Sequence, residues 1–341
     1  MIRFGVIGCG GIAKWHVSAI RAIEGASVAA VCDEQPGRAE EFGRESGAAH
    51  FSDPARMFES GLVEAVCICT PSGLHAELCI KAVESGLHVV VEKPLAITRK
   101  SLEDVLEAEK RCGTKLAVIS QMRYADDVKR VKKLLGEGRL GRINMVDLSM
   151  KYYREPSYFS GSNWRGTFAM DGGGALMNQG IHGLDLLRFI CGDVLKVQCF
   201  SRTLLHPVEV EDTLSANFVL SGGGLGVLTA TTSCYPGQTR RLEICGDKGS
   251  LALTEGSLTY MHLKDGDVFN ADRSEGSHGA SDPFAIGFEL HQRQYEDFLS
   301  CITNDTKPAV GVNEAAGTLE IAFALYESAA AGGSVETVKK A

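Results

Sequence analysis

The sequence has no basic excess and no long apolar run. Its 43 acidic and 35 basic side chains give a net charge of −8, which argues against a nucleic-acid partner because such partners need a basic face. No uninterrupted apolar run reaches the ~18 residues of a membrane span. The sequence starts directly on an apolar strand, so we expect no cleavable signal peptide. We therefore expect a cytoplasmic protein with neither a nucleic-acid nor a membrane partner.

The sequence also lacks a C-x-x-C pair among its eleven cysteines, so nothing indicates zinc or dithiol chemistry. We predict no metal site. Several cysteines lie in apolar segments, such as Cys67 and Cys69 in "VEAVCICTP". Alternate strand residues share a face, so these two thiols are expected on one side of a strand without forming a standard bridge. The pattern is typical of buried, reduced thiols.

A chain of 341 residues is long enough for two cores. Its first third alternates short apolar runs with helical stretches, and near-continuous apolar strands joined by helices predict a parallel sheet covered on both faces. We expect a doubly wound domain over residues 1–121. The five runs are "IRFGVIG", "SVAAVCD", "EAVCICT", "HVVVEKP" and "KLAVIS".

The pattern changes after residue 121. Longer runs of alternating residues separated by Gly-rich turns predict an antiparallel sheet with flanking helices over residues 122–341. Within it, residues 172–190 read as one continuous, largely apolar helix. At about 100° per residue, Asn178, His182 and Asp185 fall on one polar stripe of that helix. The whole chain is thus predicted to be α/β followed by α+β.

The segment "GCGGIA" after the first strand fits G-x-G-x-x-A. Gly8 permits a tight turn, Gly10 lets the backbone approach a pyrophosphate, and Gly11 and Ile12 open the helix that holds the phosphate. Asp33 ends the second strand, where a carboxylate accepts hydrogen bonds from ribose hydroxyls and repels a 2′-phosphate. We therefore predict NAD rather than NADP as the cofactor. Arg38 is interpreted as a solvated helix charge rather than a phosphate ligand.

Two further strands end in polar segments at the edge where such sheets bind ligands. "CTPSGLH" brings Thr70, Pro71 and His75 there, and His75 has two open interpretations: a cofactor contact, or a helix-start residue with a structural hydrogen bond. "EKPLA" brings Glu92 and Lys93. A partly desolvated lysine beside a dinucleotide can serve as acid or base, or stabilise an alkoxide.

The combination of these segments resembles the Gfo/Idh/MocA oxidoreductase family, the glucose–fructose oxidoreductase and inositol dehydrogenase group. The resemblance runs nearly end to end and includes "QMRY", "NWRG" and "GGGALMNQGIHGLDLL". It implies a second domain with a large open sheet that mediates formation of a homodimer or homotetramer. It also implies hydride transfer between a nicotinamide and a carbon of a sugar, a sugar derivative or a cyclitol.

The resemblance also implies roles for individual residues. It places Lys93 and His182 at the reacting carbon, and it is consistent with a cis Lys93–Pro94 bond. The cofactor contacts comprise Gly8, Gly10, Gly11, Ile12, Asp33, Thr70, Pro71, His75, Glu92, Lys93, Gln121, Trp164 and Arg165.

One position departs from the family pattern. Inositol dehydrogenase-like members carry an aspartate four residues before the histidine, where this chain has Asn178. An amide cannot stabilise an imidazolium as a carboxylate does, so we expect Lys93 rather than His182 to carry the acid–base work. Asp185 is expected to hold His182 or a helix cap. Further expected substrate contacts are Gln179, Tyr153, Arg154, Asn163 and His291. The loop 274–284 is expected to cover the pocket. For each of these, a solvated loop or sheet surface is the alternative that stays open.

These residues support the reversible oxidation of a secondary alcohol. Two alternatives remain open from the sequence. One is an NAD-dependent glycosidase that acts by transient oxidation and returns the cofactor unchanged. The other is a non-catalytic, dinucleotide-binding regulator, which loss of the lysine or the histidine would favour; both are present.

Overall fold

The computed structural model describes residues 1–161, 164–271 and 287–340. By contacts the chain forms two compact units: Met1–Gln121 with Gly287–Ala316, and Met122–Ile286 with Gly317–Ala341. The predicted division at residue 121 differs from the observed units in one segment: Gly287–Ala316, predicted in the second domain, packs with the first unit. The reason is its helix, whose Tyr295 and Phe298 are part of that unit's apolar core. Within the described ranges, no helix is long and apolar enough to cross a membrane.

The first unit is a six-stranded parallel sheet with helices. The strands run in the order β3-β2-β1-β4-β5-β6, and all five pairings are parallel, which confirms the predicted doubly wound sheet. Its strands are β1 Ile2–Ile7, β2 Ala26–Cys32, β3 Ala49–Phe51, β4 Ala65–Ile68, β5 His88–Val91 and β6 Leu116–Val118. Its helices are α1 Gly11–Arg21, α2 Pro36–Ser46, α3 Pro54–Glu59, α4 His75–Glu84, α5 Arg99–Arg111 and α9 Glu289–Asn304.

The strand order explains where chemistry can occur in this unit. Strands β1, β4 and β5 are adjacent, and because they are parallel, their carboxyl ends lie at one edge of the sheet. The strands are buried along nearly their whole length, as their apolar runs predict. The polar residues that follow them are therefore brought together at this edge.

The second unit is built on a nine-stranded sheet in the order β14-β13-β12-β11-β7-β10-β9-β8-β15. Only β7 and β10 pair in parallel among its described strands, so the prediction of a mostly antiparallel sheet is confirmed. The strands are β7 Ile143–Lys151, β8 Val194–Arg202, β9 Thr213–Leu220, β10 Leu225–Thr231, β11 Arg241–Gly246, β12 Gly249–Thr254, β13 Ser257–Leu263, β14 Val268–Asn270 and β15 Glu336–Thr337. The helices are α6 Asp126–Gly136, α7 Pro156–Ser160, α8 Ile181–Cys191 and, from Gly317 onward, α10 Val312–Ala330.

The segment 172–190 is not the continuous helix that the sequence predicts. Residues 172–174 are non-helical, Ala175–Gly180 form a π-helix, and only Ile181–Cys191 are α-helical. Because a π-turn has a different pitch from an α-turn, Asn178 and His182 do not follow one 100° stripe. The predicted single stripe is therefore wrong.

Candidate active site

The turn after β1 has the backbone that a dinucleotide-binding turn needs. Gly8 has φ +88°, and a Cβ there would lie 2.8 Å from the carbonyl carbon of Cys69, so only glycine fits. At Gly10 a Cβ would meet no atom of the described structure within 4 Å. The space over Gly10, at the N-terminus of α1, is thus open to a ligand group, and helix N-termini favour anions.

Asp33 follows β2 and is buried. Its Oδ2 accepts the Cys9 N–H and its Oδ1 accepts the Gln35 N–H, both at 2.9 Å. Arg38 lies with Nη1 3.5 Å from Asp33 Oδ2. Arg38 is exposed on α2, as interpreted from the sequence, and its guanidinium also faces the carboxylate that the sequence assigns to the ribose.

His75, the first residue of α4, is buried and uses both ring nitrogens. Nδ1 lies 2.7 Å from the Pro94 carbonyl oxygen and Nε2 lies 2.9 Å from the Thr70 carbonyl oxygen. Burial lowers the pKa of His75, against the opposing effect of the two carbonyl contacts. The structure thus supports the interpretation of His75 as a structural bridge between the turns after β4 and β5.

The turn after β5 is held at consecutive residues. The Glu92 N–H donates to the Ile68 carbonyl at 2.9 Å, and the Glu92 carboxylate accepts the Lys93 main-chain N–H at 3.1 Å. The Lys93–Pro94 bond is cis, as the resemblance implies. Lys93 itself is half-buried. The main chain that carries the lysine is therefore fixed at the carboxyl edge of the sheet.

Glu92 belongs to a buried polar cluster. Its Oε1 lies 2.9 Å from His16 Nε2, and His16 Nδ1 lies 2.9 Å from the Tyr295 hydroxyl. His291 lies near the same carboxylate, with Nε2 4.0 Å from Oε1, and neither of its ring nitrogens has a hydrogen-bond partner within the described residues. His291, predicted as a substrate contact, is thus in the core of the first unit.

The charges in this cluster follow from its contacts. Burial lowers the pKa of His16, but Cys67 and Glu92 outweigh it and raise that pKa to about 10. Burial raises the pKa of Glu92, but His16, Lys93 and His291 together hold it well below its usual value. For His291, burial and the charge of His16 lower the pKa to about 4. Burial raises the pKa of Cys67, but the hydrogen bond to Cys69 and the charge of His16 outweigh it and lower that pKa to about 5. At neutral pH the His16 imidazolium therefore faces both the Glu92 carboxylate and the Cys67 sulfur, beside a neutral His291.

In the second unit, Glu211 holds the start of the π-helix. Its carboxylate accepts the Gly174 and Leu176 N–H groups at 2.8 and 2.9 Å and the Tyr326 hydroxyl at 3.0 Å. A Cβ at Gly174 would lie 1.7 Å from the Glu211 carbonyl oxygen, and one at Gly173 would lie 2.2 Å from the Tyr326 hydroxyl. These glycines therefore permit close packing within this unit.

Three side chains predicted to contact substrate, those of Arg154, Asn178 and Gln179, meet around Tyr158, whereas the Tyr153 ring packs on Tyr235. Arg154 is buried; its Nη1 donates to the Tyr153 carbonyl and its Nη2 to Gln179 Oε1, both at 2.8 Å. Gln179 Nε2 donates to Asn178 Oδ1 at 2.6 Å and to the Tyr158 hydroxyl oxygen at 2.9 Å. The structure thus brings the predicted group into one hydrogen-bonded cluster.

The remaining predicted residues of this unit lie nearby or elsewhere. The Arg165 guanidinium stacks 4.2 Å from the Tyr158 ring centre and 5.3 Å from the Trp164 ring. His182 is half-buried at the start of α8. Asn163 and the 274–284 loop lie outside the described residues.

Asp185 does not play the predicted role. Its carboxylate accepts two hydrogen bonds from the Arg123 guanidinium, at 2.8 and 2.6 Å, and one from the Thr318 hydroxyl at 3.1 Å. All three residues are buried. Asp185 therefore joins α8 to α10 and to the segment 121–124, instead of holding His182 or a helix cap.

Sequence reasoning missed several residues of these clusters. His16 lies three residues after Ala13 on the buried face of α1. A histidine within an apolar helix is the signal that singles out His182, and the same signal is present at His16. Asp171 accepts from Asn178 Nδ2 at 2.6 Å, but it precedes a glycine run and carries no pattern. Tyr158, Glu211, Tyr295 and Tyr326 have no local signal either, because their partners lie far away in the chain.

The first unit fits a bound dinucleotide. The turn at Gly8 and the open space at Gly10 match the needs of a pyrophosphate. Thr70 Oγ1 and Gln121 Oε1 are buried polar atoms with no hydrogen-bond partner in the described part of the chain, as expected for atoms that complete their bonds with a ligand. Asp33 is a buried acidic group at the position that the sequence assigns to a ribose.

Comparisons with known proteins agree with this geometry. Residues 2–120 match an oxidoreductase family described by its NAD-binding Rossmann fold, and residues 128–252 match the GFO/IDH/MocA C-terminal domain. The chain belongs to the Gfo/Idh/MocA oxidoreductase family. It is an NAD-dependent oxidoreductase, as the sequence predicts.

Relatives within the Gfo/Idh/MocA family match most of the chain. The scyllo-inositol 2-dehydrogenase (NAD(+)) of Bacillus subtilis is 28% identical over 96% of this chain and 94% of its own length. Inositol 2-dehydrogenase 2 of Saccharopolyspora erythraea is 30% identical over 74% of this chain and 73% of its own. The WlbA dehydrogenase of Bordetella pertussis, solved with NADH and UDP-GlcNAcA, is 30% identical over 99% of both chains, with a TM-score of 0.88.

Proposed function

We propose that the chain catalyses the reversible NAD-dependent oxidation of a secondary alcohol in a sugar, a sugar derivative or a cyclitol. The observation that carries the proposal is the position of Lys93. It follows β5, at the same edge of the sheet as the Gly8 turn after β1 and Thr70 after β4. A lysine fixed there is beside the phosphate-binding turn rather than on an unrelated surface.

In this proposal each residue has a defined task. When bound, NAD would supply the hydride acceptor for the alcohol carbon. Either Lys93 takes the hydroxyl proton, or Lys93 stabilises the alkoxide as an ammonium group while His182 takes the proton. His182 is a second substrate contact, and the cluster of Arg154, Asn178 and Gln179 binds further hydroxyls. Gly8, Gly10, Gly11, Ile12, Thr70, Pro71, Gln121, Trp164 and Arg165 are proposed for the cofactor.

The preference for NAD over NADP rests on Asp33. A buried carboxylate at the end of β2 accepts ribose hydroxyls and repels a 2′-phosphate. Its pairing with Arg38 weakens that repulsion without removing it, because Asp33 is buried and Arg38 is half exposed.

The substrates and ligands named for the relatives support the proposed substrate class. The inositol dehydrogenases and the WlbA complex with UDP-GlcNAcA point to cyclitols and to nucleotide sugars. Asn178 favours a substrate outside the inositols, since the aspartate that inositol-oxidising members place there is missing.

A substrate screen tests the proposal. Inositols, aldoses and UDP-linked sugars are each incubated with the protein and NAD, and NADH is followed by its absorbance. Steady NADH formation with at least one compound is expected. Cleavage of a glycoside without net NADH would instead favour the glycosidase alternative, and NAD binding with no chemistry would favour the regulator.

We also propose a homo-oligomer formed through the outer face of the second unit's sheet. Leu225 is paired with Met145 in register, and Phe200 lies on the same face through Ser215 and Thr229. All three apolar side chains are more than 40% exposed, which is unusual for a sheet face left to solvent.

The eleven unbridged cysteines support a reducing, cytoplasmic setting.

A further inference from the structure

The Glu92 carboxylate is buried beside the Lys93 main chain and uses both of its oxygens. Oε2 accepts the Lys93 main-chain N–H at 3.1 Å, and Oε1 lies 2.9 Å from His16 Nε2. Only 8% of Glu92 is exposed. The carboxylate therefore links the lysine-bearing turn after β5 to the buried face of α1.

The carboxylate is held ionised by His16. An isolated buried carboxylate is unfavourable unless a charge and hydrogen bonds compensate it. Protonated His16 does both, since an imidazolium donates from both nitrogens: Nε2–H to Glu92 and Nδ1–H to the Tyr295 hydroxyl oxygen. Burial raises the pKa of Tyr295 well above its usual value, so this acceptor stays a neutral phenol.

The other titratable groups around Glu92 leave His16 as its buried counter-charge. His291 on α9 is neutral at pH 7, because burial and His16 lower its pKa to about 4. Burial also lowers the pKa of His75, and burial raises the pKa of Cys69. Among the described residues, the groups that interact with the carboxylate are His16 from α1, Cys69 after β4, His75 from α4, Lys93 after β5, and His291 and Tyr295 from α9. Cys67 in β4 interacts with His16, which lowers the pKa of that thiol.

We propose that Glu92 is a positioning residue for Lys93: it fixes the lysine main chain and places one negative charge near the ammonium group, with His16 and Tyr295 as its support. This inference rests on the proposed function of Lys93. The resemblance implies a different role for Glu92, that of a cofactor contact. The observed contacts of its carboxylate are instead with the Lys93 main chain and with buried His16.

The variant Glu92→Gln tests the inference, because it keeps the shape and removes the charge. The protein without cofactor is labelled with acetic anhydride at a series of pH values, and labelling of Lys93 is followed by peptide mass spectrometry. The midpoint of Lys93 labelling is expected to move down by about one pH unit or more, since an ammonium loses a neighbouring negative charge. The surface variant Glu84→Gln, whose partner is Arg111, is the matched control and leaves the midpoint in place.

Cofactor affinity separates positioning from cofactor binding. The dissociation constant for NADH, measured by protein fluorescence, is expected to stay within about threefold of the wild-type value in Glu92→Gln. A loss of about tenfold or more with an unchanged labelling midpoint makes Glu92 a cofactor ligand and overturns the inference. An unchanged midpoint in folded Glu92→Gln with normal NADH affinity overturns it as well.

Glu92→Asp keeps the inference testable if the glutamine variant does not fold. The shorter carboxylate keeps its charge but cannot hold His16 and the Lys93 main chain together. With a substrate from the screen, kcat is expected to fall by about tenfold or more at nearly constant KM, and an unchanged kcat contradicts the inference. The two hypotheses fail in different experiments. Retained turnover in Lys93→Met would contradict the proposed function of Lys93. The labelling midpoint tests the role of Glu92 and does not depend on turnover.

Discussion

The Arg123 guanidinium and the Asp185 carboxylate form a buried two-point ion pair, with Nε–Oδ2 at 2.8 Å and Nη2–Oδ1 at 2.6 Å. The guanidinium also lies 4.8 Å from the centre of the Phe189 ring. Two parallel N–H donors on one carboxylate are the strongest arrangement of this pair. The polar residue in the middle of α8 is therefore explained by packing.

Replacing Asp185 with Asn is expected to lower the free energy of unfolding by ~3–5 kcal/mol, because it leaves the buried Arg123 charge without this compensation. Urea unfolding measures the loss. The control is Asp193→Asn, whose pair with Arg188 is solvent-exposed on the aspartate side and contributes at most ~1 kcal/mol. Equal losses in the two variants would contradict the structural role of Asp185.

Gly10→Ala is expected to separate cofactor binding from folding. Gly10 has φ −79° and ψ −169°, which alanine adopts readily, and its Cβ position is open. The melting temperature should stay near the wild-type value, while the NAD dissociation constant rises about tenfold or more because the methyl group occupies the path of the pyrophosphate. Gly136→Ala, which also enters open space, should leave NAD affinity unchanged. Normal affinity in Gly10→Ala would contradict the assigned turn.

Protonation of His291 is expected to cause part of the loss of folding stability at acidic pH. Its folded pKa of about 4 lies below the usual value of about 6.5, so the folded state resists protonation and stability is lost as pH falls from 6.5 toward 4. His291→Gln should reduce the slope of unfolding free energy against pH in this window by up to ~1.4 kcal/mol per unit. Urea unfolding at pH 7, 6 and 5 measures it, with exposed His262→Gln as control. Identical slopes in wild type and His291→Gln would refute the assignment.

The parallel sheet, the Gly8 turn and Asp33 were predictable because each is encoded in a short, contiguous pattern. The clusters were not, since they join distant segments. His16 meets Tyr295 across 279 positions of sequence, and Glu211 holds Leu176 across 35. The π-helix escaped prediction for the same reason: its start is fixed by Glu211 and Tyr326 rather than by its own side chains. Periodicity reports which face is apolar, but it does not report which distant polar group enters that face.

Asn178→Asp tests why this chain departs from its inositol-oxidising relatives. Asn178 Nδ2 donates to Asp171 Oδ1 at 2.6 Å, so an aspartate would put two carboxylates in contact and raise the pKa of the pair. A raised folded pKa means that stability is lost as pH rises above the unfolded value. We expect a loss of ~1–3 kcal/mol at pH 8 and a smaller loss at pH 5, measured by urea unfolding. The exposed variant Asn144→Asp should show no such pH dependence; the same pattern in both would rule out the Asp171 contact as the cause.

The variant Lys93→Met tests whether Lys93 carries the acid–base chemistry of the proposed oxidation. The variant keeps the volume of the side chain and removes its ammonium group. On a substrate confirmed by the screen, we predict that kcat falls by ~10²–10⁴, while the NAD dissociation constant stays within about threefold of wild type. Turnover within severalfold of the wild-type rate, in a variant that still binds NAD, would contradict the claim.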